Sequence, residues 1–412
     1  MQWIDDPSNQ AQIMWIFGPA GAGKSAIAQS IADLCFQSDN LAASFFFSRN
    51  SAGRNNSAQF ITTLAYQISH SIPEIRQAVT KALKDSFSLL LSHSLDAQAY
   101  TLITRPLNDT TSRISDTEVL KSWPKLVIID GLDECGEPKD QQYLLEVLSA
   151  MAKRLSYPLL FLVASRPEQI IRDTFNRDPL RGVTTRLALD DAYEPDSDIR
   201  RFLRSKFDKI RQSHPAGGDL PNPWPSIEEL KRLVEKSSGQ FIYASTVIKF
   251  VDSPHHLPQD RLDIVFGIAP PELATPFAEL DALYDQIFSS VIYIEDALKI
   301  LRILLLFTNL PPRPSLLDRL LSYKPGTTRM RLSDLHSVLR VPAAEEEDGE
   351  IKILHASLSD FLLDPYRSGD YFIDMEVGFD TITRHILNSV LKKGTGSELG
   401  HWRAYTRLYY FR

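Results

Sequence analysis

The chain has 412 residues, of which 43% are hydrophobic and 24% are charged, and its formal net charge is -7. This composition predicts a globular protein of two or three domains, and the acidic balance argues against a domain whose main partner is nucleic acid. Two cysteines are too few for a thiolate zinc site or a disulfide framework. Since the sequence shows neither a signal peptide nor a membrane span, we expect a cytoplasmic protein.

The first half of the chain alternates short apolar segments with helical patterns. Continuous apolar strands that alternate with helices are typical of a parallel sheet covered on both faces. The sequence therefore predicts an α/β domain over residues 1–195 with about five strands. The predicted strands are 13–17, 42–47, 126–130, 159–165 and 183–189.

Beyond residue 195 the strand signal stops and helical patterns dominate. We predict a helical domain over 196–275 and a winged-helix-like domain over 276–370, in which two short strands flank the acidic segment Glu345–Asp348. The segment 371–412 is expected to begin a further helical region that is truncated. The basic helix 198–211 carries a stripe of apolar residues, so we expect a solvated amphipathic helix and no nucleic-acid surface.

The segment "GPAGAGKS" (18–25) follows the first predicted strand and opens a helix, and it matches G-x-x-x-x-G-K-[ST]. The glycines let the loop wrap around phosphates, and the helix N-terminus adds a favourable dipole. Lys24 is expected to bridge the β- and γ-phosphates, and the Ser25 hydroxyl to bind Mg²⁺. The residues predicted to bind the nucleotide are Gly18, Pro19, Ala20, Gly21, Ala22, Gly23, Lys24, Ser25 and Ala26.

The segment "LVIIDGLDEC" (126–135) supplies the acids that such a site needs. Asp130 ends an apolar strand and is predicted to hold Mg²⁺ together with Ser25. Gly131 occupies the position where hydrolytic P-loop enzymes with an inserted strand usually carry a glutamate that orients the attacking water. The acids resume at Asp133 and Glu134, and Asp133 is the preferred candidate for the base. The alternative is that Asp133 caps the next helix.

Arg166 follows the strand in "FLVASRPEQ" (161–169). A guanidinium at the end of a core strand could contact the γ-phosphate and report its presence. The alternative is a capping box made by Ser165 and Glu168, which would leave Arg166 in the first turn of a helix.

Five segments together resemble a known family: "GPAGAGKSAIAQSIA", "SFFFSR", "IDGLDEC", "VASRPE" and "GQFIYASTVIKFV". In that order they resemble the NACHT-type NTPases of the STAND class, and most of all the fungal NOD-like receptors with a nephrocystin-3-like N-terminal NTPase region. The resemblance covers residues from about 10 to about 370.

The resemblance implies an AAA-like P-loop core of five parallel strands, then an all-α domain and a winged-helix domain. It implies ATP or ADP with Mg²⁺ as ligands, and it places His355 on the β-phosphate of bound ADP. Adenine contacts are not carried over, because Gly239 is followed by Gln240 and Phe241 where related proteins often have G-x-P.

The leading hypothesis is a nucleotide-controlled signalling switch with slow hydrolysis and self-association, as in fungal self/non-self or cell-death signalling. One alternative is an AAA-like motor that hydrolyses continuously, and another is a nucleotide-binding scaffold without hydrolysis. A P-loop kinase is disfavoured by the long helical second half. The first strand begins near residue 13, so we expect effector and sensor functions to lie on unknown partners or to be missing through truncation.

Overall fold

The computed structural model describes residues 2–5, 11–49, 51, 53–90, 94–189, 195–268, 277–306, 313–346 and 349–375. The chain divides into two units, Met1–Pro195 and Asp196–Arg412, which are described separately. Most of the predicted C-terminal region 371–412 and part of the acidic segment Glu345–Asp348 lie outside the described residues.

The first unit is built on a parallel sheet of five strands within the described residues. The strands are β1 (Ile13–Phe17), β2 (Leu41–Phe46), β3 (Leu126–Asp130), β4 (Leu160–Ser165) and β5 (Thr184–Ala188). The strand order is β2-β3-β4-β1-β5, and every neighbouring pair is parallel. The predicted parallel sheet is confirmed, and it is consistent with a P-loop NTPase core.

Helices cover both faces of this sheet, as its continuously apolar strands require. The helices of the first unit are α1 (Gln2–Asp5), α2 (Lys24–Gln37), α3 (Phe60–Ser71), α4 (Arg76–Leu90), α5 (Leu95–Ala99), α6 (Arg105–Thr111), α7 (Thr117–Ser122), α8 (Pro138–Arg154), α9 (Gln169–Asn176) and α10 (Leu180–Val183). The hydrophobic core on one face of the sheet contains side chains of α3, α8 and α9, and the core on the other face contains Ala28, Ala32 and Cys35 of α2.

The register of the strands brings three loops to one edge of the sheet. Phe17 at the end of β1 pairs with Ser165 at the end of β4, and Asp130 at the end of β3 pairs with Ala164. The indole of Trp15 donates a hydrogen bond to the Ser165 hydroxyl at 2.9 Å, which fixes the ends of β1 and β4 together. The loops after β1, β3 and β4 therefore emerge side by side.

The second unit is helical, with a single hydrophobic core among its described residues. Helix α11 (Pro195–Ser213) exposes most of its basic side chains and buries Ile199, Leu203, Phe207 and Ile210. The helices are α11 (Pro195–Ser213), α12 (Ile227–Ser237), α13 (Phe241–Val251), α14 (Pro258–Gly267), α15 (Ala278–Ser289), α16 (Ile294–Leu306), α17 (Pro314–Leu320), α18 (Thr327–Arg331), α19 (Ala356–Leu362) and α20 (Pro365–Ser368).

The strand signal predicted near residue 340 corresponds to a short antiparallel ribbon. Its strands are β6 (Leu339–Arg340) and β7 (Lys352–Ile353), which lie ahead of α19. Two residues per strand do not establish a winged-helix domain, so that domain and the predicted limits at residues 275 and 370 stay predictions. None of the described helices is long and apolar enough to cross a membrane.

Candidate functional site

The loop between β1 and α2 has the backbone of a phosphate-binding turn. Gly21 and Gly23 have φ angles of 79° and 86°, in the left-handed region that favours glycine. Gly23 is also the N-cap of α2 and offers no side chain to the N–H groups of the first turn. A Cβ at Gly18 would lie 2.7 Å from the Leu189 carbonyl oxygen, so the loop approaches the chain after β5 closely. The helix N-terminus is thus left open to an anion.

Lys24 lies against the loop that it is predicted to serve. Its Nζ donates hydrogen bonds to the carbonyl oxygens of Gly18 at 2.8 Å and of Pro19 at 2.7 Å. Burial lowers the pKa of Lys24 to about 8, and the nearby Asp133 carboxylate acts in the opposite direction. Within the part of the chain that the structure describes, Lys24 forms no ion pair, so its charge is available to a bound phosphate.

The two predicted Mg²⁺ ligands are brought together. Asp130 is 4% exposed at the end of β3, and the Ser25 side chain lies near its carboxylate. Burial raises the pKa of Asp130 to about 6, and the nearby Ser25 side chain opposes that shift. A carboxylate beside a hydroxyl is an oxygen ligand set that suits Mg²⁺, which usually completes its shell with waters and substrate phosphates. Ser25 and Asp130 therefore fit the predicted ion.

Gly131 lies in a left-handed turn that favours glycine. It has φ 70° and ψ 34°, and its N–H donates to the Ala164 carbonyl oxygen at 2.9 Å. A Cβ at this position would lie 3.2 Å from the Phe47 carbonyl oxygen. The left-handed turn, and not only the choice of catalytic residue, explains why no glutamate follows Asp130.

Replacing Gly131 by alanine should lower the free energy of unfolding by about 1–2 kcal/mol, the usual cost of a side chain in the left-handed region. Gly182→Ala is a matched control, because a Cβ there meets nothing within 4 Å and Gly182 lies in α10. Denaturant unfolding of both variants measures the difference. Equal stability of the two variants would show that the turn at Gly131 tolerates a side chain.

The acid turn, Leu132–Glu134, holds Asp133 against Arg166. Asp133 is 4% exposed, its Oδ1 accepts from the Arg166 backbone N–H at 2.9 Å, and its Oδ2 lies 3.3 Å from the Arg166 Nε. The alternative that Asp133 caps the next helix is wrong, because the N-cap of α8 is Glu137. Both carboxylate oxygens of Asp133 face one arginine, which does not favour the predicted role as a base.

Glu134 has the better environment for proton transfer. Its Oε2 accepts a hydrogen bond from the Arg49 backbone N–H at 3.0 Å, and among the described residues nothing donates to its Oε1. Burial raises the pKa of Glu134 to about 7, the Arg49 hydrogen bond opposes this, and the Asp133 charge adds to it. A half-buried carboxylate that titrates near neutral pH is suited to act as a general base.

Arg166 lies in the loop between β4 and α9. The alternative of a capping box from Ser165 is wrong, because Ser165 is the last residue of β4 and α9 begins at Gln169 with Glu168 as N-cap. Arg166 is therefore not a first-turn helical residue. Its predicted contact with a γ-phosphate stays a prediction, but its guanidinium does lie beside the acid turn.

Sequence reasoning assigned no role to Arg49, which follows β2 by a few residues. Its side-chain Nη2 lies 3.3 Å from the Asp133 carbonyl oxygen and 3.6 Å from the Glu168 Oε1. The only sequence signal was the position of a basic residue after a strand, in "SFFFSR". Arg49 joins the loop after β2 to the acid turn and to the start of α9.

His355 belongs to the second unit, where it has a local role. It is the N-cap of α19, and its Nδ1 accepts from the Ser357 backbone N–H at 3.1 Å. The Ser357 hydroxyl lies 2.7 Å from the same nitrogen and 2.8 Å from the Tyr284 hydroxyl. The predicted contact between His355 and ADP stays a prediction.

Comparison with protein families matches residues 1–166 to the family described as "Nephrocystin 3, N-terminal". This region of the chain is similar to the nephrocystin-3 N-terminal region. The nephrocystin-3-like region is less than half of the chain, and it contains the glycine-rich loop, Asp130, the acid turn and Arg166.

No curated protein matches the chain. Among solved structures, the Drosophila ORC bound to DNA matches with 13% sequence identity and a TM-score of 0.35, covering 91% of this chain and 94% of that chain. A TM-score this low does not establish a shared fold.

Proposed function

We propose that this chain is an ATP/ADP-binding switch of the NACHT/STAND class that hydrolyses ATP slowly. One observation carries the proposal: at a single sheet edge, an uncapped helix N-terminus meets Lys24 and the neighbouring side chains of Ser25 and Asp130. Phosphate groups need N–H donors and a cation, and Mg²⁺ needs oxygen ligands. The nephrocystin-3-like match over the same residues supports the proposal.

The residues of the site divide the work between binding and hydrolysis. The loop Gly18–Ser25 holds the phosphates, and Ser25 and Asp130 would hold Mg²⁺. Bound Mg²⁺ would supply positive charge to the phosphate oxygens. Asp133 orients Arg166, to which we assign the contact with the γ-phosphate.

Glu134 is assigned the role of base in place of Asp133. It would take a proton from the attacking water as the new P–O bond forms and the bond between the γ-phosphorus and the bridging oxygen breaks. ADP and inorganic phosphate are the products. The proton on Glu134 then passes to phosphate or solvent, which restores the carboxylate.

A switch is favoured over a motor by the acid turn. Position 131 holds glycine in place of the usual glutamate, and Asp133 is held in an ion pair, so hydrolysis depends on Glu134 alone at the end of the turn. In this proposal ADP maintains a resting state, helped by His355, and ATP favours self-association. Signalling of the fungal NOD-like receptor kind, with separate effector and sensor partners, rests on the sequence resemblance.

The test is to identify the nucleotide that co-purifies with the protein and to measure its turnover. We expect stoichiometric ADP in the denatured extract, and steady-state hydrolysis slower than about one turnover per second, below the usual range for enzymes. Faster turnover would support the motor. Retained ATP with no hydrolysis in a single-turnover assay would support the scaffold, and a chain that binds no nucleotide would overturn the proposal.

A further inference from the structure

Four residues from three loops form one connected cluster at the acid turn. The Arg49 backbone N–H donates to the Glu134 Oε2 at 3.0 Å, and the Arg49 Nη2 donates to the Asp133 carbonyl oxygen at 3.3 Å. The same guanidinium lies 3.6 Å from the Glu168 carboxylate, which belongs to the N-cap of α9. Arg49 therefore contacts both acids of the turn and the N-cap residue of α9.

The loop that carries Arg49 is itself fixed at both ends. Phe47, the residue after β2, donates its N–H to the Asp130 carbonyl oxygen at 2.9 Å. The Ser48 N–H bonds the Arg54 carbonyl oxygen at 2.9 Å, and the Gly136 N–H bonds the Asn55 carbonyl oxygen at 2.9 Å. The backbone of this loop is therefore anchored on both sides of the acid turn, and its N–H at Arg49 has a defined direction.

We propose that Arg49 is a positioning residue for hydrolysis, which holds Glu134 in the orientation that accepts the proton of the attacking water. This inference rests on the proposed function, since it gives a task to a residue near the proposed base. Arg49 does not touch the reacting atoms. Its backbone N–H donates to Glu134, while its guanidinium, paired with Glu168, ties the same loop to the Asp133 carbonyl group. Loss of the side chain keeps the N–H but releases that tie, so the loop no longer holds the N–H in place.

The exposure of the side chains sets the size of the effect. Arg49 and Glu168 are 39% and 38% exposed, so water screens their ion pair and its charge contributes little to stability. The larger part of the effect comes from orientation, because small misplacements of a catalytic group are costly. We expect a change in kcat with little change in nucleotide affinity.

The first test compares Arg49→Gln, Arg49→Lys and the parent chain. Arg49→Gln should lower kcat about tenfold, a cost typical of a misplaced catalytic group, while nucleotide affinity changes less than about twofold. Arg113→Gln is the matched control, because it removes the same charge from an exposed arginine of the first unit that has no ion pair among the described residues. A Tm measurement on each variant separates positioning from loss of fold.

A pH profile supplies a readout that a purely structural role would not change. The Arg49 charge lowers the pKa of Glu134, so its removal raises that pKa and moves the acid limb of kcat to higher pH. Arg49→Lys keeps the charge and should leave the limb where it is in the parent. An unmoved limb in Arg49→Gln, with parental kcat, would overturn the proposal.

Glu168→Gln tests whether the two residues act as a unit. If Glu168 works through Arg49, kcat of the double variant should equal that of Arg49→Gln alone, within about twofold, since coupled residues are not additive. If the kcat losses of the two single variants multiply in the double variant, Glu168 does not act through Arg49. If the parent binds nucleotide but does not hydrolyse it, the proposed hydrolysis is wrong and this inference falls with it. If the parent hydrolyses and Arg49→Gln is as active, only the inference is wrong.

Discussion

Lys24→Ala should weaken nucleotide binding by about a hundredfold or more, because it removes the charge that meets the phosphates at an uncapped helix end. In the structure the amine donates hydrogen bonds to the Gly18 and Pro19 carbonyl oxygens of the loop. Titration with a fluorescent nucleotide measures the loss. Lys139→Ala, at an exposed position of α8, is the matched control and should bind like the parent.

The same lysine should make binding depend on pH. Its pKa is lowered to about 8, and only the protonated amine attracts phosphate, so affinity should fall as the pH rises through 8. Lys24→Ala should lose this dependence along with the affinity. A variant that retains nucleotide as tightly as the parent would show that the loop Gly18–Ser25 is not a phosphate site.

Glu134→Gln should lower the rate of hydrolysis by about a hundred- to a thousandfold, the usual contribution of a general base, without loss of nucleotide. Asp133→Asn keeps an oxygen for the Arg166 N–H but loses the ion pair, so we expect a smaller loss of about tenfold. Single-turnover assays of both variants decide between the two acids. A larger loss in Asp133→Asn would restore Asp133 as the base, as the sequence alone predicted.

The pH dependence of the parent provides a second check on Glu134. A base must be deprotonated, so kcat should fall as the pH drops below about 7, the raised pKa of Glu134. The raised pKa also means that the ionised carboxylate is unfavourable in the fold, a cost that appears as the pH rises from the unfolded value of 4.5 through 7. Near pH 8, Glu134→Gln should therefore melt at a temperature equal to or above that of the parent, and lost activity would not reflect unfolding.

The sequence predicted the elements of the first unit well, because the pattern of apolar strands and glycine-rich loop is local. The strand order could not be predicted in the same way. The position of β4 between β1 and β3 depends on pairing between segments that are far apart in the sequence. The residues of a strand do not specify which other strand it pairs with. The helical segment 95–111 was also missed, in which a π-helical turn at Tyr100–Thr104 joins α5 to α6 and interrupts the period of 3.6 residues. Helix α7 was missed because its six residues are too few to show helical periodicity.

In the candidate site, too, the local motifs were predictable from the sequence and the contacts between distant segments were not. Lys24, Ser25 and Asp130 were predicted from spacing, and the structure brings them together. The partners of Asp133 and Glu134 were not predictable, because Arg166 and Arg49 lie more than thirty and eighty residues away along the chain. The choice of base depends on those partners, so the sequence alone favoured Asp133 and the environment favours Glu134.

The left-handed backbone at Gly131 links the proposed hydrolysis to the stability of the fold. A glutamate at position 131 would place its Cβ 3.2 Å from the Phe47 carbonyl oxygen in a left-handed turn, so it would carry a strain of about 1–2 kcal/mol, like the alanine variant. Under the proposed function, the substitution that supplies the usual base would therefore also destabilise the first unit, and a second change that relaxes the contact with Phe47 would be needed to offset that cost.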